Sequence, residues 1–494
     1  MRAEMGIREI GRAFEAGEID ACRLVDRFLK RIETLDRGGP ELRAILELNP
    51  DAREIAERLD RERVEGKRRG PLHGVPILLK GNIDTADRMT TTAGSLALAG
   101  SIPPRDAYLV TRLRKAGALI LGKANLSEWA NFRGKHSLSG WSSQGGQTRN
   151  PHDAARSPCG SSSGSAVAVA VDLCTIAVGT ETDGSIVCPA QTCGIVGVKP
   201  TVGLVSRTGI IPISRSQDTA GPMARTVGDA ALLLGVLVGR DPEDSATASI
   251  PGGYDIQYTT GFDRKGLDGV RIGVARNLFG GHREVERLAT SCIKILIDRG
   301  AVVVDPANVE GAKRLREPEL QVLIYEFKNG LNSYLASLGA NAPIRTLGQL
   351  IDFNRAHADK VMPHFGQELF ELAAAVGPLT DLAYREALET CRRLARTEGI
   401  DATLERHRLD AIVAPTGGPA WLIDPVHGDY GISGCSSPAA VAGYPHITVP
   451  AGFVDGLPIG LSFFGGPWEE AKLLRYAYAF EQAAAARRPP NLGL

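Results

Sequence analysis

A chain of 494 residues is long enough for one large domain or several smaller ones, and 43% hydrophobic with 23% charged residues is an ordinary balance for a soluble protein with a sizeable core. Lysine plus arginine and aspartate plus glutamate number 57 each, which excludes a net field that would draw nucleic acid or an anionic membrane. No apolar run reaches the ~18 residues of a spanning helix, so no membrane partner is expected.

The segment Met1-Arg-Ala-Glu-Met-Gly6 leads into a charged amphipathic stretch, not the apolar core of a signal peptide. Apolar positions then repeat at helical spacing over 5–36 (Ile7, Ile10, Phe14, then Leu24, Val25, Phe28, Leu29 and Ile32). Gly17 breaks the repeat and predicts two helices joined by a short turn. Between Pro71 and Pro242, short apolar runs at 75–79, 118–121, 175–178 and 195–198 alternate with helical stretches and glycine-rich turns. That alternation predicts an α/β protein with a largely buried mixed sheet. Residues 166–171 alternate alanine and valine as a strand would, but the small alanines and the preceding glycine-serine turn predict a buried helix.

The stretch 310–405 is richer in charge and helix formers, with candidate helices at 320–335 and 382–395, and reads as a helical insert that could cap a site. Strands return at 409–413, 447–449 and 459–464, and 469–487 closes as a helix. Strand material on both sides of the insert predicts a single domain over 1–494, its sheet completed by the carboxy-terminal part. No internal repeat is evident.

The eight cysteines (Cys22, Cys159, Cys174, Cys188, Cys193, Cys292, Cys391 and Cys435) include no C-x-x-C pair. They read as free thiols buried like small apolar side chains, which favours a cytoplasmic home and no zinc site. Export of a trimmed chain stays open.

Chemistry concentrates in Ser157-Pro-Cys-Gly-Ser-Ser-Ser-Gly-Ser165 and Gly179-Thr-Glu-Thr-Asp-Gly-Ser185, with a lysine ending the apolar run Gly74-Val-Pro-Ile-Leu-Leu-Lys80. Glycine lets a ligand approach the backbone, and a serine there is a nucleophile if a neighbour takes its proton. Lys80 could be that neighbour if burial keeps it neutral; alternatively its amine simply reaches solvent from a strand end. Lys123, in Ile120-Leu-Gly-Lys123, looks similar but lacks the flanking pattern. Gly160-Ser-Ser-Ser-Gly164 also satisfies the G-x-S-x-G elbow, with Ser162 at its tip and His407, His427 and His446 downstream. Against the elbow, residues 150–158 look like loop where a strand is required.

Taken together, Gly74-Val-Pro-x-x-x-Lys80, Cys159-Gly-Ser-Ser-Ser-Gly-Ser165, Gly179-Thr-Glu-Thr-Asp-Gly-Ser185-Ile-x-x-Pro-Ala190 and Ser214-x-x-x-Asp-Thr-Ala-Gly-Pro222 resemble the amidase signature family. The resemblance covers most of the chain and is densest over a signature core at 71–230. It implies the family's fold, a single large α/β domain with a mixed, mostly parallel central sheet covered by helices. It implies Ser185 as nucleophile, Ser161 as bridging serine after a cis Gly160–Ser161 bond, and Lys80 as base. The backbone N–H groups of Thr182, Asp183, Gly184 and Ser185 would form the oxyanion hole, and no metal or organic cofactor is implied. The chain departs from the family in having Lys80-Gly81 for Lys-Asp and Asp183-Gly-Ser185 for Gly-Gly-Ser. Asp183 could repel carboxylates or favour a positive group, or could instead turn away to a loop.

The segments Leu126-Ser-Glu-Trp-Ala-Asn-Phe-Arg-Gly134, Ser139-Gly-Trp-Ser-Ser-x-Gly-Gly-Gln-Thr-Arg-Asn-Pro151 and Thr180-Glu-Thr-Asp-Gly-Ser-Ile-Val-Cys-Pro189 are similar to the bacterial peptide amidases of that family. This implies hydrolysis of peptide carboxamides by a monomer or homo-oligomer. Trp129, Asn131 and Phe132 are candidates for the acyl pocket, or else a packed loop. The rivals are the glutaminase-like component of a tRNA-dependent amidotransferase and a non-catalytic scaffold.

Overall fold

The computed structural model describes residues 4–339, 342–430 and 434–492. The apolar runs between 75 and 200 form strands, and the N-terminal helical repeat forms two helices, Ile7–Glu15 and Ala21–Arg31, with Gly17 in the turn at φ +66°. In chain order the strands are β1 (Ile45–Leu48), β2 (Pro76–Lys80), β3 (Leu119–Ala124), β4 (Trp141–Ser142), β5 (Gly146–Gln147), β6 (Ile176–Glu181), β7 (Val196–Lys199), β8 (Thr219–Ala224), β9 (Arg271–Val274), β10 (Val302–Val304), β11 (Ala411–Pro415), β12 (His446–Val454) and β13 (Leu457–Phe464).

Except for the small β4–β5 hairpin, all belong to one mixed 11-stranded sheet in the order β1-β3-β2-β6-β8-β7-β12-β13-β11-β9-β10. Parallel pairing occupies two blocks, β3-β2-β6 and β11-β9-β10; the strands between them, and β1 at one edge, pair antiparallel. The carboxy-terminal strands β12 and β13 join β7 to β11, so the sheet is completed from beyond the helical insert, as the single-domain reading expects. β2, β3 and β6 are buried along their whole length, which is why their apolar runs are continuous and not alternating; β8 is equally buried.

Helix Ser163–Ala170 is buried at every position. Its alternation of alanine and valine does not make a strand because the small residues let it lie against β6, β8 and β2.

The stretch 310–405 is helical as expected, with its longest helix at Arg316–Ser337. It carries its own apolar cluster, in which Phe327 stacks on Phe370 (centroids 5.3 Å apart) and Trp129 meets Phe370 edge-on at 5.8 Å. No helix among the described residues is long and apolar enough to cross a membrane.

Candidate active site

Register builds the site. β2 and β6 run parallel with Leu79 opposite Val178, so Lys80, which ends β2, falls near the carboxyl end of β6, within hydrogen-bond reach of Thr180. The carboxyl ends of parallel strands are where α/β sheets open a crevice. Lys80 is fully buried, and its Nζ donates to Ser161 Oγ at 2.7 Å, Thr180 Oγ1 at 2.8 Å and the Thr180 carbonyl at 3.1 Å. Burial pushes the Lys80 ammonium down to about 7, against the weaker pull of Asp218 and Glu181 in the other direction. The solvent-reaching alternative for this lysine is therefore not what the fold adopts. Lys123 is also buried, but it donates to the Ile83 carbonyl and Thr91 Oγ1, away from both serine clusters.

Helix Ser163–Ala170 starts where the first cluster ends. The Gly160–Ser161 peptide is cis, and a Cβ at position 160 would run into Ser127 Oγ. The Ser162 N–H donates to the Ser185 carbonyl at 3.1 Å, which locks the two clusters together. Ser162 Oγ donates to the Thr180 carbonyl at 3.0 Å. The downstream histidines lie elsewhere: His427 pairs with Asp424 and His446 with Ser462. Ser162 is a structural residue, and the elbow reading does not describe this fold.

Beyond β6 the chain turns through 182–185, with Gly184 at φ +77° and its missing Cβ 3.1 Å from Ser436 Oγ. None of the N–H groups of Thr182, Asp183, Gly184 and Ser185 donates to another described residue. Four adjacent free donors beside a serine can hold an oxyanion. Two buried carboxyl groups fix this turn. Glu181 accepts from the N–H groups of Ile186 and Val187 at 2.8 and 3.0 Å, and Asp218 accepts from Thr182 Oγ1 at 2.6 Å and from the N–H groups of Ile213 and Ser214. Burial raises both carboxyls, Asp218 to about 6.

Ser185 opens onto a cavity of about 440 Å³ walled by Asn131, Phe132, Asp183, Leu323 and Ser436. Of the three expected wall residues, Asn131 and Phe132 line it. Trp129 does not: it turns into the insert's apolar cluster and is 2% exposed. The segment 129–131 is left-handed at three successive non-glycine residues (φ +52°, +52° and +73°), and the chain passes there from Trp129 in the core to Ala130 and Asn131 on the cavity wall. A larger cleft near the termini, about 780 Å³, is lined by Arg225, Asp229 and Arg487 among others and includes no lysine–serine pair.

The expectation of eight free thiols is corrected here. Cys159 and Cys188 form a disulfide at the cavity wall, and the other six cysteines are free. The pairing crosses two glycine-rich turns that only the fold brings together, so no C-x-x-C spacing announces it. Local sequence also gave no sign of Glu319, Ser436 or Ser437, which reach the site from distant segments. Asp218 lies inside a motif that carried the family resemblance, without a role attached. Asp20, Cys22 and Asp60 lie close enough to share an ion, but Asp60 already accepts from two backbone N–H groups and Arg63.

A family model described as Amidase matches residues 23–474. A probable amidase of Arabidopsis thaliana is 42% identical over 99% of this chain and 91% of its own length. The peptide amidase of Stenotrophomonas maltophilia is 54% identical, with a TM-score of 0.96, over 100% of this chain and 99% of that one; a structure of peptide amidase with the competitive inhibitor chymostatin matches equally well. A glutamyl-tRNA(Gln) amidotransferase component of Chloroflexus aurantiacus is 37% identical over 95% of this chain and 94% of its own.

Proposed function

This chain is a member of the amidase family, an amide-hydrolysing enzyme, and on that premise we propose that it releases ammonia from the C-terminal amide of peptides through an acyl-enzyme on Ser185. The observation that carries the reading is Lys80: a buried amine held at about 7 and hydrogen-bonded to Ser161 is a base poised for neutral pH. Neutral Lys80 takes the Ser161 proton, and Ser161 takes the Ser185 proton as that oxygen attacks the amide carbon. The oxyanion forms against the free N–H groups of 182–185. The proton returns along the same chain to the leaving nitrogen, ammonia departs, and water repeats the attack on the ester. Side chains and backbone carry every step.

No hydrogen bond joins the Ser161 and Ser185 hydroxyls directly. Such contacts commonly tighten only when substrate binds. Leu323, reaching the cavity from helix Arg316–Ser337, favours the insert as a cap. The peptide-amide substrate rests on the likeness to peptide amidase. The Cys159–Cys188 bridge removes the thiol-based argument for a cytoplasmic location, since persistent disulfides belong to oxidising compartments.

The test is ammonia release from a short peptide amide, with glutamine, a fatty acyl amide and an aryl amide alongside and Ser185→Ala as control. Ser185-dependent release from the peptide amide above the others is expected. Release from glutamine alone, in a preparation carrying partner proteins, would favour the amidotransferase component instead.

A further inference from the structure

Among the buried acidic groups that the mechanism leaves unused, one lies against the oxyanion turn. Glu319, on helix Arg316–Ser337 of the insert, is 8% exposed and interacts directly with the Asp183 carboxyl in the turn that follows β6. Asp183 Oδ2 accepts from Ser437 Oγ at 2.6 Å, while its Oδ1 is buried with no donor. Gln217 Nε2 donates to Glu319 Oε1 at 2.8 Å and to the Thr182 carbonyl at 3.3 Å, so it bridges the same helix to the same turn. Asp183 keeps one edge on the cavity while its Oδ1 is buried, and a proton carried by the buried Glu319 supplies the donor that Oδ1 lacks.

We propose that Glu319 is a positioning residue: protonated, it donates to Asp183 and fastens the oxyanion turn to the helical insert. One turn further along that helix Leu323 enters the cavity, so the same element that shapes the substrate pocket holds the backbone donors in place. Burial and the neighbouring Asp183 both push the Glu319 carboxyl well upward, which favours its donating form; the fastening fails once the pH is high enough to remove that proton and set two anions face to face. The other groups facing this pair are Cys391 of helix Leu382–Arg392, its thiol pushed up to about 12 by burial, and, within electrostatic reach of Asp183, Lys199 of β7, Glu181 of β6 and the buried Cys435 thiol. Glu326, two turns along the helix from Glu319, is taken by Ser214, Ser216 and Tyr384.

The inference rests on the proposed reading of 182–185 as the oxyanion turn. Its test is the pH profile of peptide-amide hydrolysis by the full chain and by E319A, E319Q and S185A. Glutamine keeps the size and a neutral donor but cannot ionise. E319A should lose about tenfold in kcat with KM changed less than about threefold, as a displaced oxyanion turn requires. E319Q should recover most of that loss and abolish the alkaline fall of the parent enzyme, leaving the acid limb near 7 in place. E319A matching the parent, E319Q as impaired as E319A, or superimposable alkaline limbs would overturn the inference while S185A stays dead. An active S185A would overturn the site reading and this inference with it.

Discussion

In the mechanism we propose, burial of Lys80 performs the task that a histidine performs in other serine hydrolases. Three hydrogen bonds orient the amine, and the absence of water holds it near 7 against an ordinary value of 10.5. The stability cost of that depression is full below about 7 and fades as pH rises toward 10.5, because the unfolded chain binds the extra proton throughout that window. Lys80→Met should therefore be inactive yet more stable at pH 7 by about 1–3 kcal/mol, read by urea unfolding, with the gain shrinking at pH 9. A less stable variant at pH 7 would contradict the buried-amine account. In the parent enzyme, kcat/KM should rise through about 7 as Lys80 loses its proton; a flat profile from 6 to 9 would remove it as base. As candidates, Lys80, Ser161 and Ser185 were legible in the sequence because each sits in a glycine-framed motif. Glu319 was not, since a glutamate in a charged helical stretch looks solvent-facing until Asp183 is found against it.

The β2 and β6 apolar runs were readable as strands, but their parallel register, which puts Lys80 beside Thr180, is set by tertiary pairing that no local pattern encodes. Residue size predicts a buried helix over 166–171 against its own periodicity, and the fold places a buried helix at Ser163–Ala170, capped by Val171. β9 and β10 escaped notice because each is a short run, of four and three residues, in a polar stretch. The 129–134 segment shows how element ends are tied down. Buried Arg133 pairs with Glu128, donates to the Val361 and Phe365 carbonyls, and stacks on the Phe365 ring at 4.1 Å. That ties the insert to the wall residues Asn131 and Phe132. Arg133→Ala should cost about 3–5 kcal/mol by stranding the Glu128 charge, and Arg133→Lys should not recover it, since one ammonium cannot replace the planar fork. Equal stability of parent and Arg133→Ala in thermal unfolding would show the pair to be dispensable.

Across the whole molecule the two turns that carry the proposed site are held from several directions: by the sheet behind them, by the insert through Gln217 and the proposed Glu319 fastening, and by the Cys159–Cys188 bridge across 29 residues. The class of fold and the completion of the sheet by the carboxy-terminal strands could be read from strand material on both sides of a helical insert. The bridge could not, because the two cysteines meet only once both turns are folded. Closing a loop of that length limits the unfolded ensemble, so Cys159→Ser with Cys188→Ser should lose about 3–4 kcal/mol in denaturant unfolding. Unchanged stability would mean that the bridge adds nothing to the fold.

The central claim is that Ser185 carries the acyl group. Acid-quenching the enzyme during turnover of a slow peptide amide or ester, followed by digestion and mass analysis, tests it most directly. The account predicts the acyl mass on the peptide containing Ser185 and its absence from Ser185→Ala. Acyl mass on Ser161 or Ser162, or full turnover by Ser185→Ala, would contradict it.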